Sequence, residues 1–298
     1  MLTKVNQIGF LDVASDFTFK GGTLTLSSEF RKAKRWVERN VNEDGFVYPG
    51  TSYKVGMDLE TRCGTRISKT TRPALLYRMP PSHDLILKGA RNVQKSRLGI
   101  AGFVTQCFAF LFGTRLQFSD WWVEGRIPIK STVNVHVAHH AAEEFLSKAI
   151  STWKAFNRRD RIIASNMLYL FAKSGSLEWD WERFQMEYTV FDTCFALASR
   201  RQPWSGRSHK ERFKNVCKFY GLRYNESLVR KFVYLRNDLI HEALWDGGQV
   251  NTARGSFSSI ASYHLRNLNH RLITAMLTSK TEYTQSPWWF SGTFAFKA

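Results

Sequence analysis

The chain has 298 residues and a large excess of positive charge. Its 43 lysine and arginine residues against 25 aspartate and glutamate residues give a formal net charge of +18, which predicts a polyanionic partner. The four cysteines lack CxxC spacing, which argues against a zinc knuckle or a disulfide framework and favours reduced, buried thiols. The N-terminus has no signal-peptide core, and the apolar run at 98–112 is too short to span a membrane, so we expect a cytoplasmic protein without a membrane partner.

Residues 1–138 predict a strand-rich α+β domain. FTF at 17–19 and TLTL at 23–26, separated by two glycines, indicate a β-hairpin. Further strands are predicted at 83–89 and 132–138, with an apolar helix at about 93–112 between them. The basic segment RKAKRWVERNV at 31–41 fits a strand, a helix or a loop. We interpret this domain as having a sensing or regulatory role.

Residues 139–280 predict an all-α domain. Apolar residues at helical spacing indicate helices at 152–173, 177–199, 209–220, about 226–246 and about 256–279, joined by short loops as in a helical bundle. Ser208 and Glu211 predict a capping box for the third of these helices. Residues 281–298 contain the aromatic tail SPWWFSGTFAF, which we expect to pack back onto the fold.

The most informative stretch is FVYLRNDLIHEALWDGG at 232–248, which sets Arg236, Asn237 and His241 on one predicted helix. Asn225 is its predicted N-cap, and the glycines at 247–248 are its predicted end. Asn237 and His241 are four residues apart and share a face. Arg236 has a different azimuth, so it reaches the imidazole only through its long side chain or through a bend near the helix end.

These three side chains suit cleavage of an RNA phosphodiester without a metal. Arg236 can bind phosphate oxygens through its planar guanidinium, and His241 can take or return a proton near neutral pH. Asn237 can orient either partner. The alternative is purely structural, with an arginine on a helix face and a partly buried histidine bonded to a carbonyl. Similar spacings occur in RMPPSH at 78–83, where two prolines disfavour a helix, and in RNLNH at 266–270, which is one residue shorter.

Basic and aromatic residues surround the motif helix in the sequence. If these residues line a groove, the basic side chains would bind the phosphates of a nucleic-acid strand and an aromatic ring would stack on a base. The alternative is a solvated basic face. The predicted RNA-binding residues are Trp204, Arg207, Lys210, Lys214, Lys218, Arg223, Arg230 and Lys231.

A second candidate site, HVAHHAAEEF at 136–145, contains histidine and glutamate at the four-residue spacing with which one helix can present metal ligands. It lacks the HExxH order and a third ligand. Local His–Glu pairs near a helix start are therefore the favoured interpretation, and we predict neither a metal nor another cofactor.

The helical half, at roughly 139–279, resembles the HEPN superfamily, whose ribonucleases carry an R-x(4–6)-H motif with a polar residue after the arginine. The matching residues here are Arg236, Asn237 and His241, and LRNDLIHEALW is similar to the Apea-like HEPN group. The segments FLFGTRLQF at 110–118 and DWWVEGR at 120–126 resemble the N-terminal region that accompanies such domains.

This resemblance implies a metal-independent endoribonuclease whose active site forms where two chains of a homodimer bring their motif helices together. It further implies a toxin or abortive-infection protein of antiviral defence that cuts tRNA or other RNA, controlled by a phage-derived trigger or an antitoxin. The family also contains members that only bind RNA or partners, so a non-catalytic RNA-binding or regulatory dimer is the alternative.

Overall fold

The computed structural model describes residues 2–47, 52–57, 65–70, 76–89, 92–204, 208–245, 248–249 and 257–298. The chain divides into two compact units. The first contains Met1–Thr105 and Thr114–Ser131, and the second contains Gln106–Gly113 and Thr132–Ala298. The boundary expected from the sequence, at 138/139, lies a few residues beyond the point where the chain enters the second unit at Thr132.

The first unit contains strands and short helices. Its strands are β1 (Leu2–Ile8), β2 (Phe17–Phe19), β3 (Gly22–Leu26), β4 (Phe46–Val47), β5 (Ser52–Met57), β6 (Thr65–Thr70), β7 (Leu76–Tyr77), β8 (His83–Lys88), β9 (Val123–Glu124) and β10 (Ile127–Pro128). Its helices are α1 (Phe30–Asn40), α2 (Val93–Arg97) and the beginning of α3 (Ile100–Leu111), whose residues from Gln106 onward belong to the second unit.

A four-stranded antiparallel sheet, in the order β1-β8-β3-β2, is the main sheet of this unit. The predicted hairpin is present, because Phe17 pairs with Leu24 and Phe19 pairs with Gly22. Gly21 has φ 106°, a left-handed conformation that favours glycine in a tight turn. The predicted strand at 83–89 corresponds to β8 and pairs with both β1 and β3.

The basic segment at 31–41, for which the sequence left three conformations open, forms helix α1. The helix buries Phe30, Ala33 and Val37 in an apolar cluster of the first unit. Phe30 stacks on Phe10 with ring centroids 6.0 Å apart. The i, i+3, i+7 spacing of these apolar residues accounts for the choice of a helix.

The second unit is mainly helical. Its long helices are α4 (His139–Ala155), α5 (Arg158–Ser174), α6 (Asp180–Ser199), α7 (His209–Tyr220), α8 (Glu226–Glu242) and α9 (Ser258–Leu277), and its shorter elements are α10 (Glu282–Gln285), β11 (Val135–His136), β12 (Leu244–Trp245), β13 (Gly248–Gln249) and β14 (Phe294–Ala295). The predicted class, α+β with strands first and helices second, is therefore confirmed.

Two predicted helices are interrupted. The prediction of a single helix at 152–173 is wrong, because α4 ends at Ala155 and α5 begins at Arg158. Asn157 caps α5 by accepting a hydrogen bond from the Asp160 backbone N–H at 2.9 Å. The apolar helix expected at about 93–112 is divided into α2 and α3. By contrast, α7 has the predicted bounds and the predicted capping box.

The tail expected to pack back does so within the second unit. Trp288 is fully buried and donates a hydrogen bond from Nε1 to the Arg223 carbonyl at 2.9 Å. Phe296 packs edge-on against Phe145, with ring centroids 5.7 Å apart. Strand β14 pairs in parallel with β11. In the described chain, β11 is the only part of the stretch expected at 132–138 that forms a strand.

A buried ion pair lies between α6 and α9. Arg266 Nη1 is 2.6 Å from Glu187 Oε1, and the side chains are only 8% and 1% exposed. Asn269 donates to the other carboxylate oxygen at 2.7 Å, while Arg266 also donates to the Phe171 carbonyl at 2.7 Å and to Thr132 Oγ1 at 2.7 Å. The polar groups of this pair are thus satisfied inside the bundle.

Two further expectations concern buried thiols and membrane-spanning helices. Cys107, Cys194 and Cys217 are buried free thiols, as predicted, and Cys63 lies outside the described residues. Within the described ranges, every helix is too short or too polar to cross a membrane.

Candidate active site

Helix α8 carries the predicted trio, and its start follows the sequence prediction. Asn225 caps the helix by accepting a hydrogen bond from the Leu228 backbone N–H at 3.1 Å. Val229, Phe232 and Leu235 bury the inner face, whereas Leu228 is only partly buried. The apolar face therefore fixes which residues of α8 remain accessible.

The end of α8 differs from the prediction. The helix ends at Glu242 and not at the glycines of 247–248, of which Gly247 lies outside the described residues. Ala243 adopts a left-handed conformation with φ 55°, which is unfavourable for a residue with a Cβ atom. Trp245 is buried against Phe184, with ring centroids 5.4 Å apart. Burial of this large side chain accounts for the early turn, and it leaves His241 in an exposed last turn.

The structure brings Arg236, Asn237 and His241 together. Arg236 Nη1 lies 3.2 Å from His241 Nε2 and donates to Asn237 Oδ1 at 3.1 Å. Arg236 and Asn237 are half-buried, and His241 is exposed. The long arginine side chain thus overcomes the difference in azimuth. Both contacts use Nη1, so with respect to the described residues Nε and Nη2 of the guanidinium are left for other acceptors.

Three further polar residues, Tyr188, Asp192 and His209, lie near Arg236, and the sequence reasoning missed all of them. Tyr188 on α6 has its hydroxyl 3.0 Å from Nδ1 of His209, the first residue of α7. Asp192 on α6 forms an ion pair with Arg212 on α7 at 3.6 Å. Only the packing of three helices brings these groups close to the motif.

Burial and charge change the acidity of this cluster. Burial lowers the pKa of His209, and the nearby cation of Arg236 lowers it further. Burial also raises the pKa of Asp192, in opposition to the cationic groups around it. The pKa of Tyr188 is raised chiefly by burial and next by the nearby Asp192 carboxylate, in opposition to the cations of Arg236 and Arg212. Arg236 therefore acts electrostatically on two helices besides its own.

Replacing Arg236 by glutamine is expected to raise the pKa of His209. Removing the cation removes one of the influences that disfavour the protonated imidazole. The change can be measured by following the imidazole NMR resonances of His209 as a function of pH. Arg230→Gln is the matched control, because Arg230 lies on the same helix but pairs with Glu226 at 3.5 Å. A His209 titration that is unchanged or moves downward in the Arg236 variant would contradict the expectation.

The predicted RNA-binding residues do not form one uniform basic surface. Lys210 and Arg230 share the carboxylate of Glu226, at 2.6 and 3.5 Å, and Lys231 lies over the Phe257 ring at 4.9 Å. Lys210 is half-buried, and Arg207 lies outside the described residues. The other basic members of the set are exposed, namely Lys214, Lys218, Arg223, Arg230 and Lys231.

Trp204 is the aromatic member of the predicted RNA-binding set. It is half-buried, with its ring centroid 5.6 Å from that of Phe195 and 5.6 Å from that of Phe219. Phe219 is the more accessible ring of this cluster, at 42% exposure. An exposed aromatic surface therefore exists beside α7, but Phe219 contributes more of it than Trp204.

The second candidate site, at 136–145, is not organised as a single helix. His136 lies in β11, and α4 begins only at His139. His139 Nδ1 is 3.8 Å from Glu143 Oε2, as expected for a local pair. Among the residues that the structure describes, no group of three or more histidine, cysteine, aspartate or glutamate side chains is placed to hold a metal ion.

The other two similar spacings do not form accessible pairs. His83 is buried and hydrogen-bonded to Ser82, while Arg266 and His270 are both buried in the bundle.

Comparison with known proteins gives no further guidance, since no family model, curated protein or solved structure matches the chain.

Proposed function

We propose that this protein is a metal-independent endoribonuclease of the HEPN type. The observation that carries the proposal is the 3.2 Å contact between Arg236 and His241 at the exposed end of α8. A permanent cation and an imidazole that can accept or donate a proton are thereby held side by side where a nucleotide can reach them. Asn237, bonded to the same guanidinium nitrogen, orients the arginine.

In the proposed reaction, the 2′-hydroxyl of a ribose attacks the adjacent phosphorus. His241 takes the hydroxyl proton, the 2′-oxygen forms a bond to phosphorus, and the bond from phosphorus to the 5′-oxygen breaks. That oxygen leaves with a proton, so the products are a 2′,3′-cyclic phosphate and a 5′-hydroxyl. Arg236 stabilises the charge that develops on the phosphate oxygens through its remaining N–H donors.

A homodimer through the helical unit is part of the proposal. Cleavage requires one group to accept a proton and one to donate it, and a second copy of α8 would supply a second histidine. Tyr234 and Ile240 on α8 are 61% and 46% exposed, so this helix offers accessible side chains to a second copy.

Charge and resemblance support the proposed substrate and setting. The net charge of +18 and the exposed Lys214, Lys218 and Arg223 suit an RNA substrate, with tRNA among the candidates. We propose that the protein acts in the cytoplasm in antiviral defence by abortive infection, under the control of a phage-derived trigger or an antitoxin.

Incubation of the purified protein with total RNA in the presence of EDTA tests this function. We expect cleavage that leaves 2′,3′-cyclic phosphate ends, and no cleavage of a substrate whose attacking 2′-hydroxyl is replaced by hydrogen. An inert protein that still binds RNA would favour the non-catalytic dimer. Cleavage that requires an added metal, or cleavage of the 2′-deoxy substrate, would overturn the mechanism.

A further inference from the structure

Helix α1 in the first unit carries a row of three arginines. Arg31, Arg35 and Arg39 follow the i, i+4, i+8 spacing, and all three are exposed. At about 100° per residue, this row lies on the side of the helix opposite Ala33 and Val37, which are buried. The arginines therefore form the outward face of α1.

The row differs from the lysines of the same helix. Lys32 is 3.2 Å from the Glu29 carboxylate, and Lys34 is 3.4 Å from that of Asp12. None of the three arginines forms an ion pair with a carboxylate of any residue described by the structure. The outward face of α1 thus carries three arginines outside any ion pair of the described chain, against one acidic residue of this helix, the exposed Glu38.

The spacing and rigidity of the row suit a chain of phosphates. Four residues of an α-helix rise about 6 Å, which is on the scale of the separation between neighbouring phosphates in a nucleic-acid strand. The apolar side of α1 is anchored in the cluster that contains Phe10 and Val47, so the row is preorganised. Arginine matches phosphate oxygens with two parallel donors.

We propose that Arg31, Arg35 and Arg39 form a binding site for the phosphate backbone of single-stranded RNA, separate from the site on α8. The choice of RNA among polyanions rests on the proposed function. A membrane surface is less suitable, because a helix that binds a bilayer needs a free apolar face. The apolar residues of α1 are instead buried within the protein.

The test measures how tightly the full-length protein binds a fluorescent single-stranded RNA. Methylation of the 2′-hydroxyls of this RNA prevents cleavage. Arg35→Gln with Arg39→Gln is expected to weaken binding roughly 10-fold and to reduce the slope of log K against log salt by about 1.4. The matched control is Lys32→Gln with Lys34→Gln, which removes the same charge from the same helix. Since both lysines are ion-paired and lie off the row, we expect a change of ~2-fold or less.

Equal effects of the two double variants would overturn the proposal, as would wild-type protein that prefers anionic vesicles to RNA. Thermal unfolding of each variant checks the fold, which should persist because the replaced residues are exposed and glutamine favours helices. If the double variant unfolds, Arg31→Gln and Arg35→Gln measured singly are expected to weaken binding roughly 3-fold each, and no effect from either would overturn the proposal.

The two proposals fail in different ways. A protein that binds the methylated RNA through α1 but never cuts unmodified RNA would refute the nuclease and leave this binding site standing. A protein that cuts RNA while both double variants bind equally would refute only the site on α1.

Discussion

Replacing His241 by alanine is expected to lower the rate of RNA cleavage by about 10²–10⁴-fold, because a positioned proton-transfer group contributes that much to such reactions. The side chain is exposed at the end of α8, so the fold should be preserved. Single-turnover cleavage of a defined RNA in EDTA measures the effect, with circular dichroism and size-exclusion chromatography as checks on fold and assembly.

Arg236→Gln completes this experiment. It is expected to lower the rate by about 10²–10³-fold, because it removes a donor that stabilises the developing phosphate charge. His140→Ala is the matched control, since it removes an exposed histidine of α4 that belongs to the alternative metal site. Wild-type activity in the His241 variant would refute its proposed role, and a loss in the His140 variant alone would favour metal-dependent chemistry.

The largest expected loss of stability follows from breaking the ion pair of Glu187 and Arg266. Glu187→Gln leaves a cationic arginine buried without its counter-charge, and we expect a loss of about 3–5 kcal/mol in the free energy of unfolding. Urea denaturation followed by circular dichroism measures it. Glu226→Gln is the matched control, because it breaks ion pairs to Lys210 and Arg230 at the surface and should change the unfolding midpoint little.

A double replacement separates the charge effect from packing. Glu187→Leu combined with Arg266→Met removes both charges and retains most of the volume, so it should be more stable than Glu187→Gln alone. If Glu187→Gln has the stability of the wild type, the buried charge of Arg266 does not require this partner.

The parts of the fold that the sequence predicted well depend on local chemistry. The hairpin at 17–26 and helix α7 are defined by glycine, by alternation and by a capping box within a few residues. The end of α8 could not be predicted in this way, because it depends on the packing of Trp245 against Phe184, which is distant in the sequence. The break at Phe156 had a local signal, the N-cap of Asn157, which the apolar periodicity obscured.

The candidate site was predictable only in part. The spacing placed Arg236 and His241 on one helix, but their contact depends on the arginine side chain reaching along the helix surface. Tyr188 and His209 could not be connected to them without the packing of α6 and α7. Burial was the other missing information, since Arg266 and His270 resemble the motif in sequence but lie inside the bundle.

The contact between Arg236 and His241 also bears on how the substrate would engage the site. A hydrogen bond across this contact requires a lone pair on Nε2, that is, a neutral ring with its proton on Nδ1. The same lone pair would have to accept the proton of the ribose hydroxyl. An incoming phosphate that attracts the guanidinium would release Nε2 as it binds, so that RNA itself would uncover the base that cuts it.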